Sequence, residues 1–248
     1  MQENTRWGGI SSFSLHLMAM AFMLCDHLWA TVLAGHDWLT CIGRIAFPIF
    51  AFMIVEGYFR TRDLKKYVLR LLVCALISEI PFNLMMGSSL FYPVHQNVLW
   101  TFLLGIAMIW INEKARSRGK LWLSILAGVG TAVLGGVLGL VTMVDYFSVG
   151  VLTVLVFYFF RGRKWWCYVG QLAALYWLNV ELLGGLGYEL EIFGHQFFLV
   201  QQGLALLALI PIWLYRGKQG YHSRGWQMAC YLFYPVHILI LGLVYMYR

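Results

Sequence analysis

Asp26-His27 closes the apolar run Met20-Ala21-Phe22-Met23-Leu24-Cys25-Asp26-His27, and Arg44 stands at the head of the next one, Ile42-Gly43-Arg44-Ile45-Ala46-Phe47-Pro48. An imidazole can take the proton of an attacking amine or hydroxyl. A guanidinium can stabilise the oxyanion of a tetrahedral intermediate. In apolar segments such groups are costly, and they persist mainly where they face a protein interior and act there. Together they suit acyl transfer, provided the chain brings them to one pocket.

Composition sets the elements that must do so. The chain has 248 residues, 61% hydrophobic and only 12% charged, with a mean hydropathy of +0.72. A soluble domain carries roughly 25% charged residues, so the sequence predicts a polytopic membrane protein. Apolar stretches recur over 11–34, 39–59, 66–86, 96–112, 121–143, 146–160, 164–183, 196–215 and 226–247. Most approach the roughly 20 residues that cross a hydrocarbon core. The expected fold is all-α, a membrane helix bundle of about nine spans forming one domain over 1–248.

The formal charge of +7 follows from topology rather than from an acidic partner such as nucleic acid. Basic residues sit at Arg6 and in alternate loops: Arg60, Arg62, Lys65, Lys66 and Arg70; Lys114, Arg116, Arg118 and Lys120; Arg161, Arg163 and Lys164; Arg216, Lys218 and Arg224. The intervening loops hold only acids, among them Asp37, Asp145, Glu189 and Glu191. Positive loops stay in the cytoplasm, which puts the N-terminus inside and, with nine spans, the C-terminus outside. Arg44 breaks that pattern. The first segment is too long, and too polar at Asp26-His27, to be a cleavable signal. Five cysteines without a CxxC spacing predict neither a disulfide framework nor a metal site.

At about 1.5 Å of rise per residue, His27 and Arg44 reach similar heights in the outer part of the bundle. Glu79 rises to that layer on the third segment, Asn97 opens the fourth, Gln201 and Gln202 enter the eighth, and His237 lies near mid-depth on the ninth. Other readings stand beside the catalytic one. His27 could pin two helices, Arg44 could reach outward to headgroups, and Glu79 could be the salt-bridge partner of Arg44. Asn97 and the two glutamines read equally as helix-bridging amides, and Gly135-Gly136 with Gly139 as a packing face. On the cytoplasmic side, Glu56-Gly57-Tyr58-Phe59-Arg60-Thr61-Arg62-Asp63 leads into Lys65-Lys66. It serves either as ordinary anchoring or as a phosphate-binding mouth.

No HExxH, GxSxG, P-loop or dinucleotide fingerprint occurs. Leu24-Cys25-Asp26-His27, Gly43-Arg44-Ile45-Ala46-Phe47-Pro48-Ile49-Phe50-Ala51-Phe52, Asn97-Val98-Leu99, Asp145-Tyr146 with Gly150, and Tyr231-Leu232-Phe233-Tyr234-Pro235-Val236-His237 together resemble the TraX family. Its founding member acetylates the N-terminus of F-pilin, and the family is similar to the transmembrane acyltransferases that use cytosolic acetyl-CoA. The resemblance implies an essential His27, with Arg44, Asn97 and His237 as further site residues. It extends only partly to Glu56.

The resulting expectation is an acetyltransferase. His27 is the general base, Asp26 tunes its surroundings, and Arg44 with Asn97 polarises the thioester. Glu79, His237, Tyr234 and Gln201 surround the acceptor, and Glu56, Arg60, Arg62 and Lys65 hold acetyl-CoA. Acceptors of the right chemistry are an extracytoplasmic peptide N-terminus, a glycan or a lipid. The competing class is a small proton-linked transporter using His27, Arg44 and Glu79 as a relay.

Overall fold

A computed structural model describes residues 9–192 and 194–247; Arg6 and Arg248 lie outside the described residues. The helices are α1 (Ser12–Thr31), α2 (Trp38–Gly43), α3 (Ala46–Arg60), α4 (Leu64–Gly87), α5 (Val98–Arg116), α6 (Leu121–Val141), α7 (Phe147–Phe159), α8 (Trp165–Tyr176), α9 (Leu209–Leu214) and α10 (Arg224–Met246). A π-helical stretch, Trp177–Leu183, prolongs α8, and a 3-10 stretch, Gln201–Ala208, leads into α9. Among the described residues six helices are long and apolar enough to cross a membrane: α1, α2 with α3, α4, α5, α6 and α10. Phe147–Phe159 and Gln201–Leu214 are shorter apolar helices.

Local chemistry sets the helix starts. Ser11, Asp63, Asn97 and Ser223 each accept a backbone N–H of the first turn, covering one of the orphan donors at a helix start. Proline sets the breaks. Pro48 has no N–H to offer the carbonyl of Arg44, and the second apolar segment accordingly divides at Arg44-Ile45 into α2 and α3. Pro235 leaves the Tyr231 carbonyl without its helical donor. The thiol of Cys74 on α4 takes that carbonyl instead, at 3.4 Å, where α4 packs along α10.

α7 forms the centre: Val151, Val154, Leu155 and Phe157 are fully buried between α3, α5, α6 and α8. Gly135 and Gly139 admit α7 against α6, since a Cβ there would overlap Val151 and the Phe147 carbonyl. They are packing residues. The outward faces of α4 and α6 are apolar (Leu76, Ile80, Val129, Val137), as a lipid-facing belt requires. All basic loops gather at one end, where Arg161 on the α7–α8 loop reaches Glu56 and Arg60 reaches the Gly217 carbonyl.

At the opposite end one expectation fails. Residues 196–200 are not helical but belong to β2 (His195–Val200), paired antiparallel with β1 (Gly187–Ile192). The Gly184-Gly185 turn, both at positive φ, ends the preceding helix. Phe197-Phe198-Leu199-Val200 then carries the aromatic and β-branched residues that suit a strand.

Candidate active site

Two cavities enter the bundle from its two ends. The one nearer the basic loops measures about 370 Å³ and is bordered by His16, Glu56, Arg60, Tyr67, Arg70, Tyr231 and the aromatic cluster Phe13, Tyr221 and Trp226. The other, about 500 Å³, holds Asp26, His27, Arg44, His95, Asp145, Tyr146, Gln201 and Gln202. Met23, Phe50, Val98 and Tyr234 line both, so these four side chains form the wall that the two hollows share.

His27 points inward from α1 to α10. Its Nδ1 lies 2.7 Å from Nε2 of His237, with the ring planes 10° apart. Nδ1 of His237 is 2.6 Å from the Phe233 carbonyl, which can only accept, so that nitrogen carries the proton. Nε2 of a neutral His237 is then an acceptor, and Nδ1–H of His27 must donate to it. The chain of bonds leaves Nε2 of His27 as the basic nitrogen. Tyr234 closes the group, 6.4 Å from His27 between ring centroids.

Asp26, adjacent in sequence, turns to the other side. Its Oδ1 accepts Arg44 Nη2 at 2.8 Å and Thr40 Oγ1 at 2.7 Å. Arg44 also donates from Nε and Nη2 to Thr40 Oγ1, at 3.2 and 2.6 Å. Nη1 makes a longer bond, 3.4 Å, to Gln202 Oε1, and it is the donor most easily redirected to a new acceptor. Gly43 makes room for this knot, because a Cβ there would overlap the Asp26 side chain. Asp26 thus ties α1 to Thr40 and Arg44 of the next segment and makes no bond to His27.

Two other assignments need correction. Glu79 is not the partner of Arg44: it accepts from Asn97 Nδ2 and, at 2.9 Å, from Trp100 Nε1. Asn97 is fully buried, donates also to the Ala75 carbonyl and accepts Leu99 N–H. Its amide is consumed in joining α4 to the start of α5, and it does not border either cavity. Gln201 does border the larger cavity, donating to Tyr188 at 3.2 Å. His237 borders neither cavity and touches His27 instead of the hollow.

At the basic end, Glu56 holds Arg60 at 2.8 Å and Arg161 at 2.9 Å, with Glu56 and Arg60 on the cavity wall. Arg62 and Lys65, expected there, are exposed and off that wall. Arg70 occupies the place instead, one helical face further along α4.

His95 is not among the candidate residues read from the sequence. It lines the larger cavity, with Nε2 3.2 Å from Asp145 Oδ1. Burial works against its charge, but the hydrogen bond and charge of Asp145, aided by Glu79, outweigh that and raise its pKa above the usual value. The turn carrying Asp145 is strained. Met143, Tyr146 and Phe147 all have positive φ, and Thr101 Oγ1 holds the Asp145 carbonyl at 2.7 Å. The only sequence signal for this was the Asp145-Tyr146 dipeptide itself.

The family model described as TraX protein matches residues 11–245. The probable fimbrial assembly protein FimC, serogroup H1, of Dichelobacter nodosus is 29% identical over 245 residues, covering 93% of this chain and 94% of its own. No solved structure matches the chain.

Proposed function

The chain belongs to the TraX family, and from that premise we propose that it is a multi-pass acetyltransferase of the bacterial cytoplasmic membrane. In this reading the basic end faces the cytoplasm, as the positive-inside rule requires. The acceptor arrives from the other side. A curated relative is named for fimbrial assembly, which favours a pilin-like peptide over a glycan or lipid.

The observation that carries this reading is the wall shared by two cavities beside a polarised imidazole. Acetyl-CoA would supply an activated thioester. The basic-end cavity suits it, with Arg60 and Arg70 for phosphate and the cluster of Phe13, Tyr221 and Trp226 for a flat base. Its inner end reaches the four shared residues, where a narrow, flexible arm fits between apolar walls.

Nε2 of His27 then takes the proton of the attacking amine or hydroxyl, and Nδ1–H shares the resulting charge with His237. Arg44 Nη1 turns from Gln202 to the oxyanion. Asp26 and Thr40 keep the guanidinium in place while it does so.

The test uses purified full-length protein, acetyl-CoA labelled in the acetyl group and a pilin-like peptide. Label should pass to the peptide, and His27→Ala should abolish transfer without preventing membrane insertion. Equal transfer by His27→Ala would overturn the assignment. A pre-steady-state burst of free CoA would identify an acetyl-histidine intermediate, and its absence direct transfer.

A further inference from the structure

A proton count leaves one task without a residue. Near neutral pH an alkyl amine is an ammonium, which has no lone pair for attack. Of its three N–H protons, one stays on the amide product. A second passes through His27 to the departing thiolate, as the C–N bond forms and the C–S bond breaks. The third must leave the nitrogen before attack. A hydroxyl acceptor has no such surplus.

We propose that His95, held by Asp145, takes that third proton and passes it to water at the open end of the larger cavity. The proposal rests on the acetyl-transfer reading and adds to it a second proton acceptor, on the acceptor's side. Nε2 of His95 is 3.2 Å from Asp145 Oδ1. A carboxylate can only accept, so Nε2 carries the hydrogen and Nδ1 is the free base. The ring is set edge-on to Phe82 and parallel to Phe147, with centroids at 5.2 and 5.9 Å, which fixes its orientation.

Charge in the cavity agrees. The two carboxylates Asp26 and Asp145 share one guanidinium, Arg44, which is bonded to Asp26 and feels the charge of Asp145 from further off. Asp145 Oδ1 itself meets the imidazole of His95 and the Tyr146 N–H, with Glu79 nearby on α4. The remaining titratable side chains on that wall are an imidazole, His27, and two phenols, Tyr146 and Tyr234, none of them a carboxylate. The site therefore has a surplus negative charge to attract an ammonium. The raised pKa of His95 makes it a stronger base than free imidazole. The three left-handed residues around Asp145 mark backbone strain that only a well-supported turn sustains.

The experiment measures kcat/KM against pH, from 6 to 9, for full-length protein in lipid nanodiscs with acetyl-CoA and a short peptide bearing a free N-terminus. His95→Gln should fall furthest below wild type, about a hundred-fold, in the window above the pKa of His95 and below that of the peptide amine, where the imidazole is free to accept and the amine still holds its extra proton. The gap should close as pH nears the peptide's own amino pKa, about 8, where the acceptor deprotonates unaided. That recovery also proves the variant folded. Asp145→Asn, which keeps the imidazole, should give a smaller gap of the same shape. A pH-independent deficit in His95→Gln, or none, would overturn the role of His95. Absence of acetylated peptide with the wild type would instead overturn the acetyl-transfer reading beneath it.

Discussion

His27 and His237 meet nitrogen to nitrogen at 2.7 Å across α1 and α10, and the Phe233 carbonyl at 2.6 Å decides which nitrogen holds the hydrogen. Under the proposed acetyl-transfer mechanism His237 is a positioning residue, acting through the tautomer of His27. His237→Ala should lower kcat about a hundred-fold with little change in either KM. His237→Gln, whose side-chain carbonyl can accept from His27, should recover part of the rate. Equal losses in the two variants would show that His237 serves only packing.

Asp26 and Arg44 are each about one-fifth exposed. Removing one partner leaves a charge without its counter-ion in a poorly solvated place. Asp26→Leu should destabilise the protein by about 3 kcal/mol, and the double variant Asp26→Leu/Arg44→Met should regain most of that. Neither should transfer acetyl groups. Thermal unfolding in detergent with a parallel activity assay separates the effects: a double variant as unstable as the single one would contradict the pairing.

Gly43 is required by space rather than by backbone angle, since its missing Cβ makes room for Asp26. Gly43→Ala should insert normally into membranes yet lose most activity, because the Asp26 carboxylate is pushed from Arg44. Wild-type turnover in Gly43→Ala would mean the knot tolerates displacement.

Phosphate recognition should follow the cavity wall rather than the loop charge. Arg60→Gln with Arg70→Gln should raise the KM for acetyl-CoA about ten-fold or more, whereas Arg62→Gln with Lys65→Gln should leave it within about two-fold. Saturation kinetics on the two pairs decides the matter.

The His95–Asp145 pair also gives stability a pH dependence. The folded pKa of His95 is raised above its ordinary 6.5. Its contribution is therefore full below 6.5 and is lost as pH climbs through the raised folded value. The melting-temperature difference between wild type and His95→Gln should shrink upward from pH 6.5. A difference that grows with pH would reverse the sign and refute the pairing.

Much of this arrangement was legible in the sequence. The apolar segment 39–59 was legible as a span, but its division at Arg44-Ile45 was not drawn from the sequence, although the N–H that Pro48 lacks is its covalent cause. The cost of burying Asp26, His27 and Arg44 foretold an interior site. Partner choice was not legible. Glu79 and Asp26 stood at comparable heights, and only the third dimension gave Arg44 to Asp26 and Glu79 to Asn97 and Trp100. Asn97 reads the same whether it caps a helix or polarises a thioester. His95 was passed over because its partner is far along the chain, in a turn whose left-handed residues carry no glycine. Arg70 was taken for ordinary anchoring, since the strip of α4 that borders the cavity is fixed by packing against α10.

The four side chains shared by the two hollows, Met23, Phe50, Val98 and Tyr234, would matter to an energised membrane of the kind proposed for this chain. A protein hollow from both ends risks becoming a leak that discharges the proton-motive force. A waist of largely greasy side chains disfavours a continuous file of water, and without one neither protons nor sodium cross readily. The same waist tolerates a slender uncharged tail. On the proposed reading, a bacterium can thus carry a catalyst of this shape without draining the gradient that powers it.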